Sequence, residues 1–199
     1  VQSNILLFHF EFSTLCVLKI IASVIARLGS KRLAYKNLLP YQGVPLVLRA
    51  IQKLKQCEMF DEIVLSTESE LIARTCIHEG IKILRRPNDL AGEEVGSIPV
   101  FQHIVQNVPC DIHLNYNCNF PECEKSVFEQ AIALCQDQGE ALSVPYAVWA
   151  QTKNILDSYG DPKRITATRF ETDQVFDLDI HTIEDLITTH QSHQVKLEF

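Results

Sequence analysis

Between Glu11 and Glu58 the sequence has no aspartate or glutamate, yet Lys19, Arg27, Lys31, Arg32, Lys36, Arg49, Lys53 and Lys55 all fall there. The chain as a whole is acidic, with 25 Asp and Glu against 18 Lys and Arg and a formal charge of -7. A net field of that sign repels polyanions, which excludes general affinity for nucleic acid or an anionic membrane and leaves room only for a local basic site. The seven cysteines (16, 57, 76, 110, 118, 123 and 135) form no CxxC pair and no Cys/His spacing of zinc type. An odd, scattered set of this kind fits neither a structural zinc site nor a disulfide framework, and implies a reduced, cytoplasmic chain. A long uninterrupted apolar run is also missing. Residues 5–26 are mostly apolar, but His9, Glu11 and Lys19 break them and no basic segment precedes them, so they read as neither signal peptide nor membrane span. There is no internal repeat and no low-complexity linker. With 199 residues, 46% of them hydrophobic, the chain is long enough for one well-packed core.

What is present alternates. "KIIASVIA" (19–26) is a continuous Ile/Val-rich run, the pattern of a strand buried on both faces of a parallel sheet. A loop follows. The stretch 44–57 then repeats Leu46, Ala50, Ile51 and Leu54 at helical spacing behind Pro45, a favoured first-turn residue. "DEIVLST" (61–67) is a second strand, and Thr67 with Glu70 has capping-box spacing for a helix that Gly80 ends. "IKILRR" (81–86), a helix over 97–107, "DIHLNY" (111–116) and a helix over 125–139 continue the alternation. Strand-helix repetition predicts an α/β fold, a doubly wound, mostly parallel sheet with right-handed crossovers. Residues 141–150 and 164–180 are β-rich and either extend the sheet or form a small flap, and 181–193 reads as a last helix.

In such sheets ligands bind beyond the carboxyl ends of the strands. That position is taken here by "ARLGSKRLAYKN" (26–37), which sets Arg27, Lys31, Arg32 and Lys36 around Gly29-Ser30. Glycine permits close backbone approach, and a hydroxyl and several cations suit oxyanions, so the loop reads as a polyphosphate cradle or else as a solvated basic loop. It is neither a Walker A nor a G-x-G-x-x-G fingerprint.

The run "IIASVIARLGSKRLAYKNLLPYQGVPLVLRAI" resembles the A-R-x-G-S-[KT]-R-[LI]-x-x-K-N-[IL] signature of the CMP-sugar synthetases, the acylneuraminate and 3-deoxy-manno-octulosonate cytidylyltransferases with their spore-coat polysaccharide relatives. "FDEIVLSTESELIA", "RRPNDLAGEE" and "DIHTIEDL" (179–186) extend the likeness over about residues 18–190. The resemblance implies a Rossmann-like three-layer sandwich of the nucleotide-diphospho-sugar transferase type, with residues 18–199 as the catalytic domain. It implies a reaction of CTP with a sugar acid to give a CMP-sugar and pyrophosphate for surface polysaccharide, with magnesium, or manganese, as cofactor. By motif position Ala26, Arg27, Gly29, Ser30, Lys31, Lys36, Asn37 and Arg86 would bind nucleotide, with Arg27 and Lys36 catalytic. Asn115 and Asn117, where the family pattern is not kept, either bind a sugar through its hydroxyls or merely end a strand. The metal would fall to Asn119, Asp179 and His181, although Asn119 and His181 stand where the family pattern has aspartates. That replacement leaves two alternatives open: a relative that binds nucleotide without turnover, and a glycosyltransferase whose D-x-D would be Asp177-Leu178-Asp179. The resemblance also implies a homodimer, with about 145–172 as flap or contact, and makes residues 1–17 an extra segment, either upstream sequence or a β-arm.

Overall fold

A computed structural model describes residues 18–193; the expectation for residues 1–17 lies outside them. At its centre is β1 (Ile20–Ile25), whose run IIASVI is flanked by parallel neighbours on both sides, β4 (Glu62–Thr67) and β6 (Ile112–Tyr116). Strand side chains alternate between faces, so Ile21 enters one apolar layer and Ala22 and Val24 the other. That double burial is why β1 shows no polar alternation. Beyond β4 lies β5 (Lys82–Arg85), and on the far side of β6 come β8 (Val148–Thr152), β7 (Glu140–Val144) and β9 (Thr168–Glu171). The order β5-β4-β1-β6-β8-β7-β9 has β8 alone running against the rest.

One face of the sheet is covered by α1 (Leu46–Lys55), α2 (Glu70–Cys76) and α4 (Lys125–Gln138), which bury Val47, Ile51, Leu54, Ile72 and Phe128 among others. The other is covered by α3 (Ser97–Asn107) and the short α5 (Lys153–Asp157), through Phe101, Ile104 and Leu156. Helix, sheet and helix make the three layers. A third, smaller cluster joins Tyr41 of the hairpin β2–β3 (Pro40–Tyr41, Val44–Pro45) to Ile180 and Leu186 of α6 (Ile183–Ser192).

Two expectations are corrected and one alternative is decided. Ser69, not Thr67, caps α2 by accepting from the Ile72 amide, because the Thr67 hydroxyl is occupied in accepting from the Ser69 amide. Of the two alternatives for residues 141–150 and 164–180, extension of the sheet is the one found, over β8 and β9. β8 lies inside the sheet, holding Ala150 and Trp149 in the core, and β9 is its edge. Residues 172–180 are not a strand but run beside 119–124, through Glu124 N–H to Gln174 O, Phe176 N–H to Glu122 O and Ile180 N–H to Asn119 O. This last course decides the site, since it carries 179–181 to the end of β6.

Candidate functional site

The Ala26 amide still donates to Ser66 O at 3.1 Å, prolonging β1, and the chain then leaves the sheet as the basic loop. Its two ends are tied. Asn37 Nδ2 donates to Arg27 O at 2.8 Å, and the Leu28 amide donates to Glu68 Oε1 at 2.7 Å. The same carboxylate accepts from Arg86 Nη2 at 2.9 Å, while that nitrogen also reaches Ala26 O at 3.0 Å. Arg86 is only 4% exposed, and a buried guanidinium requires such partners. Gly29 has room for a Cβ and no left-handed backbone, so nothing within the chain itself demands glycine there.

The loop forms one wall of a cleft of about 280 Å³. Arg27, Ser30, Lys31, Lys36, Asn37, Arg86, Asn115, Asn117, Asn119 and His181 all line it, together with Arg32, Tyr146 and the 92–97 turn. Ala26, which is buried, and Gly29, which is exposed, are not among the lining residues. Lys31 pairs with Glu93 across the mouth. Arg27, Arg32 and Lys36 have no carboxylate within salt-bridge distance among the described residues, an excess of positive charge suited to phosphate. Burial holds the Lys36 ammonium below the usual lysine range, against the opposing pull of Cys118 and Asp179.

On the opposite wall His181 is fully engaged. Its Nδ1 lies 2.9 Å from Arg32 Nη2 and 3.4 Å from Lys36 Nζ, and its Nε2 lies 2.9 Å from Asp179 Oδ2. Arginine and lysine can only donate, so Nδ1 accepts and the proton sits on Nε2. Desolvation lowers the pKa of this imidazole, and Lys36 and Arg32 reinforce the effect against the pull of Asp179. Both ring nitrogens are thus engaged by side chains of the chain itself. Asp177 is exposed.

A hard divalent cation wants oxygen donors, and magnesium is commonly held by one or two carboxylates with phosphate and water completing the shell. Among the described residues no three His, Cys, Asp or Glu side chains gather to hold a metal. Asp179 is not among the lining residues; it stands beside the lining His181, its Oδ1 buried and without a hydrogen-bond partner. Asn119 is bonded to the adjoining Ile180 amide through its own carbonyl. One carboxylate and one amide fit a metal that the ligand's phosphates help to hold.

The cytidylyltransferase family model matches residues 21–185, which takes in the basic loop, both walls of the cleft and the 179–185 segment. The chain belongs to the cytidylyltransferase family. An N-acylneuraminate cytidylyltransferase of Escherichia coli O18:K1:H7 (strain RS218 / NMEC) is 36% identical over 85 residues, 43% of this chain, and the match spans 20% of that relative's own length. A solved CMP:2-keto-3-deoxy-manno-octonic acid synthetase complexed with CTP superposes with a TM-score of 0.75 at 16% identity, over 87% of this chain and 98% of that one. A Mycobacterium tuberculosis protein solved in complex with manganese superposes at 0.65 and 14%, over 88% and 100%. At such identities the structural likeness speaks for the fold, which the sheet order already bears out. No described helix is long and apolar enough to cross a membrane.

Reasoning from sequence missed Glu68, which ties Leu28 and Arg86 together, and Arg32 as the partner of His181. Glu68 had only a position beside a helix cap to mark it. Arg32 lay in plain view inside the basic loop.

Proposed function

We propose that the chain transfers the cytidine monophosphate of CTP to a sugar acid, releasing pyrophosphate. The observation that carries this reading is the set of carboxylate-free cations, Arg27, Arg32 and Lys36, on the loop after β1 of a cytidylyltransferase-family chain. A sugar hydroxyl displaces pyrophosphate in line at the α-phosphorus, so the protein's work is positioning and neutralisation of spreading oxyanion charge. Arg27 and Lys36 serve that charge. Ser30, Lys31 and Asn37, with Arg86 and the Ala26–Gly29 backbone, seat the nucleotide; Asn115 and Asn117 face the sugar. A divalent cation, magnesium or manganese, would be held by Asp179 and Asn119 and would supply further neutralisation of the phosphate oxygens.

With phosphate absent, His181 offers Arg32 and Lys36 a neutral acceptor, where a second aspartate would pair with them as an ion. Phosphate oxygens therefore compete for these cations against an imidazole rather than a carboxylate. Family membership together with this intact cationic wall does not favour a chain that binds nucleotide without turnover. The test is pyrophosphate release with CTP, UTP, GTP or ATP, each against N-acetylneuraminic, pseudaminic and 3-deoxy-manno-octulosonic acids, in magnesium and then manganese. CTP with one of these acids should exceed every other nucleotide; CTP-independent or absent release across the panel refutes the reading.

A further inference from the structure

Behind the cleft a file of buried polar groups crosses the sheet from Asn115 to Glu140, and its hydrogens can run in only one direction. Asn115, Ser23, His113, Gln151 and Glu140 are all at most 4% exposed. Glu140 accepts from Trp149 Nε1 at 2.9 Å and from Thr166 Oγ1 at 2.7 Å. Gln151 gives it Nε2–H at 3.2 Å, which turns the Gln151 carbonyl oxygen away from the carboxylate. That oxygen is buried without a partner, and so is Nδ1 of His113, its directly opposed residue across β6 and β8. A proton on Nδ1 would give that oxygen a donor, in keeping with the action of Gln151 on the ring as a side-chain hydrogen-bond partner. Without it, two lone pairs would face each other in the core, each orphan costing about 1–3 kcal/mol.

With Nδ1 protonated and the ring neutral, Nε2 is an acceptor, and Ser23 Oγ at 2.8 Å donates its one hydrogen to it. Burial strongly favours the uncharged ring. Ser23 can then only accept from Asn115. As positioned, Asn115 sets Oδ1 3.3 Å from Ser23 Oγ, and a half-turn about its last side-chain torsion exchanges that oxygen for the NH2 group without moving another atom. The carbonyl oxygen then faces the cleft that Asn115 lines.

We infer that Asn115 meets its ligand as a hydrogen-bond acceptor, its carbonyl oxygen held toward the cleft by a one-way chain through Ser23, His113 and Gln151 to Glu140, with His113 as a positioning residue. Resting on the sugar-acid reading of the cleft, this assigns Asn115 to a hydroxyl or N–H of the sugar and excludes it from holding the acid's carboxylate, which would meet lone pair with lone pair.

Ring 15N chemical shifts of the 15N-histidine-labelled protein, with His113 assigned by its loss in His113→Gln, test the chain without any turnover. The expected signal is a neutral ring with the proton on Nδ1 from pH 8 to pH 5; a proton on Nε2 overturns the inference. Ser23→Ala, assayed by pyrophosphate release with CTP and whichever of N-acetylneuraminic or 3-deoxy-manno-octulosonic acid is turned over, should raise the KM for the sugar about tenfold while the KM for CTP stays within about twofold. Equal rises in both show that the chain only supports the fold. If neither these acids nor pseudaminic acid is turned over by the unmodified protein, the proposed reaction falls, and the His113 tautomer still decides the inference.

Discussion

Lowering the pH from 7.5 to 5 should remove about 2 kcal/mol of folding stability through His113 alone. Its imidazole is completely buried on β6, packed against Phe101 at 4.8 Å between ring centres, and desolvation pushes its pKa down to about 3, against a weaker opposing contribution from Gln151. In the unfolded chain a histidine titrates near 6.5. Between those values the unfolded state binds a proton that the folded state refuses, so the contribution is intact above about pH 6.5 and lost as the pH falls toward about 3. Each pH unit inside the window costs about 1.4 kcal/mol, which gives about 2 kcal/mol by pH 5 and about 4 kcal/mol by pH 3. Urea unfolding at pH 7.5 and pH 5, on the unmodified protein and on His113→Gln, isolates the effect. All other groups titrate alike in both proteins, and glutamine has no proton to gain. The variant should lose about 2 kcal/mol less than the unmodified protein on acidification, whatever its stability at pH 7.5. An equal loss in the two would refute the reasoning and place His113 in contact with water.

Lys36→Ala should weaken CTP binding at least about tenfold in calorimetry, because charge-assisted contacts to phosphate are the strong ones, while leaving the melting temperature nearly unchanged; unaltered affinity would remove Lys36 from the site. Glu68→Ala leaves Arg86, 4% exposed, without its carboxylate and frees the Leu28 amide, so the urea transition should show a loss of about 3 kcal/mol and CTP should bind more weakly. A transition midpoint within error of the unmodified protein contradicts that anchoring. Asn119→Asp adds a charged oxygen donor beside the 179–181 segment and should lower the magnesium concentration needed for half-maximal pyrophosphate release. No change would mean that Asn119 lies away from the metal.

The alternation of buried strands and amphipathic helices was legible because it depends on local periodicity. The helix expected over roughly 97–107 is α3, and the Ile/Val run at 19–26 holds the central strand. Boundaries set by competition for a hydrogen bond were not legible, as the cap of α2 shows: Ser69 and Thr67 both have suitable hydroxyls, and only the turn geometry decides between them. The β-rich segment after residue 140 could not be placed from sequence either, because β8 inserts between β6 and β7 out of chain order, and strand order is a long-range property.

The site divides the same way. The sequence by itself determined the cationic wall, since Arg27, Ser30, Lys31, Lys36 and Asn37 sit within one loop and a loop after the first strand has one place to be. It also determined which residues differ from the family pattern on the opposing wall, Asn119 and His181. What became of that wall was decided by tertiary structure. The 172–180 segment pairs with 119–124 and sets His181 between Asp179 and the Arg32–Lys36 cations, 149 and 145 residues away in the chain. A histidine in sequence is donor, acceptor or ligand alike. Which it becomes depends on the groups at its two nitrogens, and here a near neighbour, Asp179, takes one while Arg32 and Lys36, from the other end of the chain, take the second.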